Sequence, residues 1–370
     1  MKTLKKIRVP LGKRSYDIFI QENILRQMGS LVPKATRARH FVLLSTPFLF
    51  RKHGKPLVSG FFKKGLNCKP VLIDDGESRK NEKTLFTILE KMAEAGLQRD
   101  SCLITLGGGV IGDMGGLAAS LYMRGIDFIQ CPTTLLAQVD ASVGGKTAID
   151  FYGVKNLIGA FYQPKMVLID PLVLETLDDR QMRTGLAEII KYGVIEDEKL
   201  FSRVEQGLDS FRKRRPDFLS YLITRSCQIK AKIVSADEKE KGKRAWLNYG
   251  HTLGHALESF YHYRVLTHGE AVAQGMHFAA LLSNRLGFCD QPVVQRQLQL
   301  LKRSGLLRRL PPFSPAVLFK KMLLDKKARK GQNQFILTRK IGLVTIQKNI
   351  PQSTIHSVLD QFRADIQNLS

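Results

Sequence analysis

Residues 106–146, LGGGVIGDMGGLAASLYMRGIDFIQCPTTLLAQVDASVGGK, set the architecture of the chain. The apolar run that ends at Leu106 predicts a buried strand, and it feeds directly into Gly107, Gly108 and Gly109. Backbone without side chains just after a strand lets a phosphate approach main-chain N–H groups. The residues after Gly112 predict a helix whose N-terminus would point at that phosphate. Gly107, Gly109 and Gly112 match the spacing G-x-G-x-x-G, a weak signal alone, because glycines at a strand end often serve only a tight turn. Asp127 lies at about the distance expected of a ribose-binding acid in that fingerprint. About 100 residues with strand-like runs precede the loop, however, so it is not the first strand-to-helix turn of its domain.

Outward from this segment, strands and helices alternate. Residues 4–20 predict a hairpin around Gly12 and Lys13. HFVLLS (residues 40–45), KPVLID (69–74), DFIQCP (127–132) and MVLIDP (166–171) predict short buried strands, and NEKTLFTILEKMAEAGL (81–97) carries helical spacing. Alternation of this kind implies a parallel sheet covered by helices. Beyond Pro171 the texture becomes helical until QFILTRKIGLVTI (334–346), which predicts a small hairpin. The expected organisation is an α/β, Rossmann-like nucleotide-binding domain over residues 1–170 and a mainly α-helical domain over 171–370.

With 370 residues, 44% hydrophobic and 25% charged, the chain is long enough for two cores and has the balance of a soluble globular protein. No run approaches the roughly 18 apolar residues of a membrane span. The N-terminus has charge but no apolar signal region, and the five cysteines are scattered without C-x-x-C spacing, so a cytoplasmic location is expected. The formal charge of +25 raises the question of nucleic acid. Its lysines and arginines are dispersed, are not interleaved with aromatics and follow no helix-turn-helix or zinc-finger spacing. A solvated basic surface is therefore favoured, with some charges facing a small anionic substrate.

The helical half holds metal-ligand chemistry. Glu188 sits in GLAEIIKYG, His251 and His255 in NYGHTLGHALE, and His268 in THGEAVAQGM. His251 and His255 share one helix face, with Glu258 a turn further on. Thr252 stands where a H-E-x-x-H protease carries its general base. Four potential ligands framed by Gly250, Gly254, Gly269 and Gly275 suit zinc with an open coordination position. Lys191, Lys230 and Arg244 flank these segments, and Lys146 and Lys155 lie in loops before the helical half. Such a cluster would repel itself unless a multiply charged anion binds, with Arg giving bidentate contacts and Lys point charges.

Together these segments resemble the 3-dehydroquinate synthase family of sugar phosphate cyclases. The resemblance rests on GGGVIGDMGGLAAS, YMRGIDFIQCPTTLLAQVDASVGGKTAID, GVKNLIGAFYQP, GLAEIIKYG, RAWLNYGHTLGHALE, HGEAVAQGM and DKKARKG, in the family's order. It implies an N-terminal NAD-binding domain and a C-terminal metal domain, with Zn2+ or Co2+ held by Glu188, His251 and His268. It moves His255 from ligand to neighbour of metal or substrate, and a candidate for proton transfer. Nucleotide contacts fall on Glu77, Lys80, Gly108, Gly109, Asp113, Thr133, Thr134 and Thr176, so that Asp113 replaces Asp127 as the acid at the cofactor. Asp140, Lys146 and Lys155 fall near the nicotinamide and substrate. The substrate's phosphate and carboxylate would meet Arg124, Lys146, Asn156, Lys191, Lys230, Arg244, Asn248, His255 and one of Lys326 and Lys327. The implied reaction converts 3-deoxy-D-arabino-heptulosonate 7-phosphate into 3-dehydroquinate and phosphate in the shikimate pathway. Its stages are transient oxidation by NAD, phosphate elimination, re-reduction and intramolecular aldol closure. Family members are typically homodimers. Thr46 and Phe48 stand where the family carries an acid and an asparagine for adenosine, and LDDRQ (177–181) keeps only Arg180 of the pattern L-P-x-R-E.

Overall fold

The computed structural model describes residues 3–324 and 333–369. The chain forms two compact units, Met1–Leu177 with Leu219–Lys239, and Asp178–Phe218 with Glu240–Ser370.

The first unit is built on strands β1 (Lys5–Val9), β2 (Tyr16–Ile20), β3 (His40–Ser45), β4 (Asn67–Leu72), β5 (Cys102–Gly107) and β6 (Asp127–Pro132). A separate hairpin, β7 (Lys146–Phe151) and β8 (Val154–Phe161), precedes β9 (Met166–Ile169). The seven-stranded sheet has the order β1-β2-β9-β6-β5-β3-β4, parallel except for the antiparallel edge pair β1 and β2. Alternate residues of one strand serve opposite faces: Phe41 and Leu43 pack on one side, Val42 and Leu44 on the other. Helices α1 (Met28–Ala35) and α2 (Lys55–Phe62) cover the first face, α3 (Glu82–Glu94) and α4 (Gly109–Leu121) the second. A strand buried on both faces must be apolar throughout, as CLITL in β5 is, apart from Thr105, whose hydroxyl bonds the carbonyl of Ile129. The expected parallel, helix-covered sheet is present. One element differs: Lys146 and Lys155, expected in loops, lie on the β7–β8 hairpin, whose β-branched and aromatic residues pair across it.

The second unit is helix-rich. It contains α5 (Asp179–Glu196), α6 (Glu198–Arg212), the start of α7 (Pro216–Ala236), α8 (His251–Phe260), α9 (His268–Arg285), α10 (Gln291–Arg303), α11 (Pro315–Leu324) and α12 (Gln352–Gln367). The predicted small hairpin is present as β10 (Gln334–Lys340) and β11 (Leu343–Lys348). The larger part of α7 belongs to the first unit. One core joins Leu253 and Leu257 of α8, Phe278 and Leu282 of α9, Leu318 of α11 and Phe362 of α12. Each of these side chains contributes on the order of 2 kcal/mol by leaving water. Among the described residues, no helix is long and apolar enough to cross a membrane.

Candidate metal and nucleotide sites

In the second unit, three helices bring Glu188 (α5), His251 (α8) and His268 (α9) together, one ligand atom from each lying within 4.8 Å of the others. Glycine makes this possible. A side chain on Gly275 of α9 would place its Cβ 1.8 Å from the carbonyl oxygen of Gly250, just before α8. One on Gly269 would fall 2.4 Å from the carbonyl oxygen of Thr184 in α5. Backbone therefore touches backbone at both junctions, and the rings of His251 and His268 come within 5.3 Å, centroid to centroid. A capping box fixes the start of α9: Thr267 accepts from the Glu270 amide, and Glu270 accepts from the Thr267 amide.

Glu188 is fully buried, and Oε1 lies 3.7 Å from Nε2 of both His251 and His268. Lys191, one helical turn along and equally buried, forms an ion pair with it. Burial, reinforced by the Lys191 cation, pushes His251 down to about 3, so it is neutral with a nitrogen lone pair to offer. Burial acts in the same direction on His268, but the carboxylates of Glu188 and Glu258 outweigh it and hold that imidazole up at about 10. A cation in place of the proton would satisfy the same two acids. His255 lies beside the cluster, its ring 5.3 Å from His251 and 6.3 Å from His268. A second ligand-bearing group, His255, Glu258 and His268, adjoins the first. By spacing alone Glu258 is only a helix-face neighbour of His251 and His255. Arg244 is buried in the short helix Lys243–Asn248, and Asn248 donates to Glu240 at 2.7 Å.

In the first unit, α4 begins at Gly109, inside the glycine loop rather than after Gly112. These glycines serve close packing, not positive φ. A Cβ on Gly115 would lie 2.3 Å from Thr105 of β5, and one on Gly116 would lie 2.4 Å from Thr147 of β7. The helix thus presses onto the sheet with no side-chain cap on its N-terminal turn, an arrangement suited to a phosphate. Thr133 donates its amide to the Gly107 carbonyl, and the Thr134 methyl would stand 3.1 Å from a Cβ on Gly108. Near the loop, Lys80 donates to Asp113 at 2.6 Å and to Asn156 at 2.5 Å. Burial raises the Asp113 carboxyl to about 6 against the pull of Lys80. Lys155 pairs with Glu77 at 3.1 Å. Lys230 of α7 donates to Asp140 twice, at 2.7 Å to the carboxylate and 2.8 Å to the carbonyl.

Asp127 begins β6 opposite Cys102, whereas the glycine loop follows the other end of β5, so Asp127 faces away from it and binds Thr36 and Lys165 instead. Arg124 is exposed, in a left-handed turn with Met123. Thr176 ends the short helix Pro171–Thr176, its hydroxyl bonded to Val173. Thr46 caps the turn after β3, and Phe48 is half exposed. Lys326 and Lys327 lie outside the described residues.

Residues 70–184 match the family model described as 3-dehydroquinate synthase N-terminal, and residues 185–328 match the one described as 3-dehydroquinate synthase C-terminal. The chain belongs to the 3-dehydroquinate synthase family. A member from Picosynechococcus sp. is 44% identical over 95% of this chain and 97% of its own. Solved structures are also similar over the whole chain. The 2-epi-5-epi-valiolone synthase of Streptomyces hygroscopicus, with NAD+ and Zn2+ bound, is 28% identical, covers 99% of both chains and has a TM-score of 0.87. A 2-deoxy-scyllo-inosose synthase complexed with carbaglucose-6-phosphate, NAD+ and Co2+ is 27% identical, covers 97% of this chain and 100% of its own, and has a TM-score of 0.86.

Proposed function

We propose that the chain converts 3-deoxy-D-arabino-heptulosonate 7-phosphate into 3-dehydroquinate and phosphate, as a carbon–oxygen lyase of the shikimate pathway. The observation that carries this is the convergence of His251 and His268 on the buried Glu188, beside Lys191, in a chain whose 3-dehydroquinate synthase relatives match it almost end to end. Two imidazoles and a carboxylate form a donor set that fits Zn2+ or Co2+ and leaves a coordination position for substrate. The first turn of α4, which no side chain caps, fits the pyrophosphate of NAD, with Gly108, Gly109, Thr133 and Thr134 around it. When bound, NAD supplies reversible oxidation of a substrate hydroxyl and the metal supplies Lewis acidity.

The chain's own residues have separate tasks. Glu77, Lys80, Asp113, Asp140, Lys155 and Thr176 hold the nucleotide. Arg244, desolvated and forked, receives a carboxylate or phosphate in bidentate fashion, with Asn248 beside it. Lys146, Lys191, Lys230 and Arg124 offset the charge of the substrate and of the departing phosphate, and Asn156 offers an amide donor. Asp140 keeps the Lys230 ammonium oriented. His255 moves a proton at the substrate, with the substrate's own phosphate as the competing base. Five free, buried cysteines support a reducing, cytoplasmic setting. Exposed Val154, Leu157 and Phe161 on β8 support a homodimer.

Purified protein with NAD and Zn2+ should release inorganic phosphate from the heptulosonate phosphate. Release from sedoheptulose 7-phosphate instead would move the chain to another cyclase of the superfamily.

A further inference from the structure

We propose that Glu258 is a positioning residue for the metal. Its carboxylate would orient His268 and fix which ring nitrogen is free to coordinate. This rests on Glu188, His251 and His268 being the ligands. The two nitrogens of His268 face two different acids: Nε2 lies 3.7 Å from Glu188, toward His251, and Nδ1 lies 3.5 Å from Glu258. One ring cannot present both nitrogens to one ion. With the ion at Nε2, the proton stays on Nδ1 and Glu258 accepts it. His251 is arranged in the same way: its Nε2 faces Glu188 and its Nδ1 lies 3.1 Å from the carbonyl oxygen of Tyr249. Both imidazoles thus have a fixed acceptor behind them, which sets the tautomer and raises the basicity of the coordinating nitrogen.

Glu258 is 3% exposed, and burying a carboxylate is costly unless a charge or a donor answers it. It reaches His268 because it sits in α8 two turns after His251, on the same face, and that helix packs directly against α9 through Gly250 and Gly275. The alternative use of the same atoms is a second ion held by His255, Glu258 and His268. It would take His268 away from Glu188 and His251 or require two cations around one imidazole.

The test is a Co2+ titration of the metal-free protein, followed by visible absorption and chelator competition. It covers the wild type, Glu258→Leu, Glu258→Gln and His268→Ala, with melting temperatures of the metal-free forms recorded alongside. The expected result is one Co2+ per chain, with affinity lower by about 10- to 100-fold in Glu258→Leu. The loss should be smaller in Glu258→Gln, which keeps an acceptor oxygen, with an altered cobalt spectrum in both and little change in metal-free melting temperature. Unchanged affinity in both Glu258 variants, with His268→Ala losing the ion, would overturn the role of Glu258 alone. A second Co2+ that disappears in Glu258→Leu would make Glu258 a ligand instead. Tight binding that survives His268→Ala would remove the ligand assignment and the inference with it.

Discussion

At the proposed nucleotide site, Asp113 shows how one buried side chain makes folding stability depend on pH. Burial lifts its carboxyl from 3.8 to about 6 while Lys80 sits 2.6 Å away. Between about pH 4 and 6 the folded chain keeps a proton that the unfolded chain has lost. Stability from this group is therefore full below about pH 4 and declines as pH rises through 6, by no more than about 3 kcal/mol. Asp113→Asn, which mimics the neutral form, should flatten the decline, and the difference between the two proteins in urea unfolding at pH 4.5 and pH 7 measures it. Much at this scale was legible in the sequence. Glu188, His251 and His268 are spread along the chain, and only the resemblance chose them over His255. The partners of Lys80 and of Glu258 were not legible, because no spacing rule links residues 80, 113 and 156, which three separate elements bring together.

Among elements, the contact of α8 with α9 matters most. The glycines framing the histidines were visible in the sequence, but which backbone each one admits was not, since that depends on how helices cross. Gly275→Ala would drive a methyl into the Gly250 carbonyl, a main-chain atom that cannot rotate away. The expected cost is about 3 kcal/mol or more, at the upper end for overpacking. It should appear as a lower urea midpoint with an unchanged slope, together with weakened Co2+ binding from the parted histidines. The β7–β8 hairpin replaces an expected loop: GKTAIDFYGVKNLIGAF carries lysines and glycines of loop character, and its pairing comes from cross-strand neighbours such as Ile149 and Ile158. Helical periodicity in α7, equally, does not reveal which core it will join.

At the scale of the whole molecule, the hairpin exposes Tyr152, Val154, Leu157 and Phe161. In the proposed homodimer these side chains lose water, and Leu157→Asp should shift sedimentation velocity from dimer toward monomer while the circular dichroism spectrum stays unchanged. The three proposed ligands have a different consequence. Glu188 and His251 are 63 positions apart, 251 minus 188, and His268 is another 17 along. An ion gripping all of them is a clip on a long, otherwise open stretch of chain, and it binds only when the second unit is folded. Free metal at a hundredfold over its dissociation constant would add about 2.7 kcal/mol to stability, and a strong chelator would remove it. Adding EDTA should lower the melting temperature of the wild type but not of His268→Ala. The supply of metal ions would then govern how long the chain survives proteolysis as well as how fast it turns over.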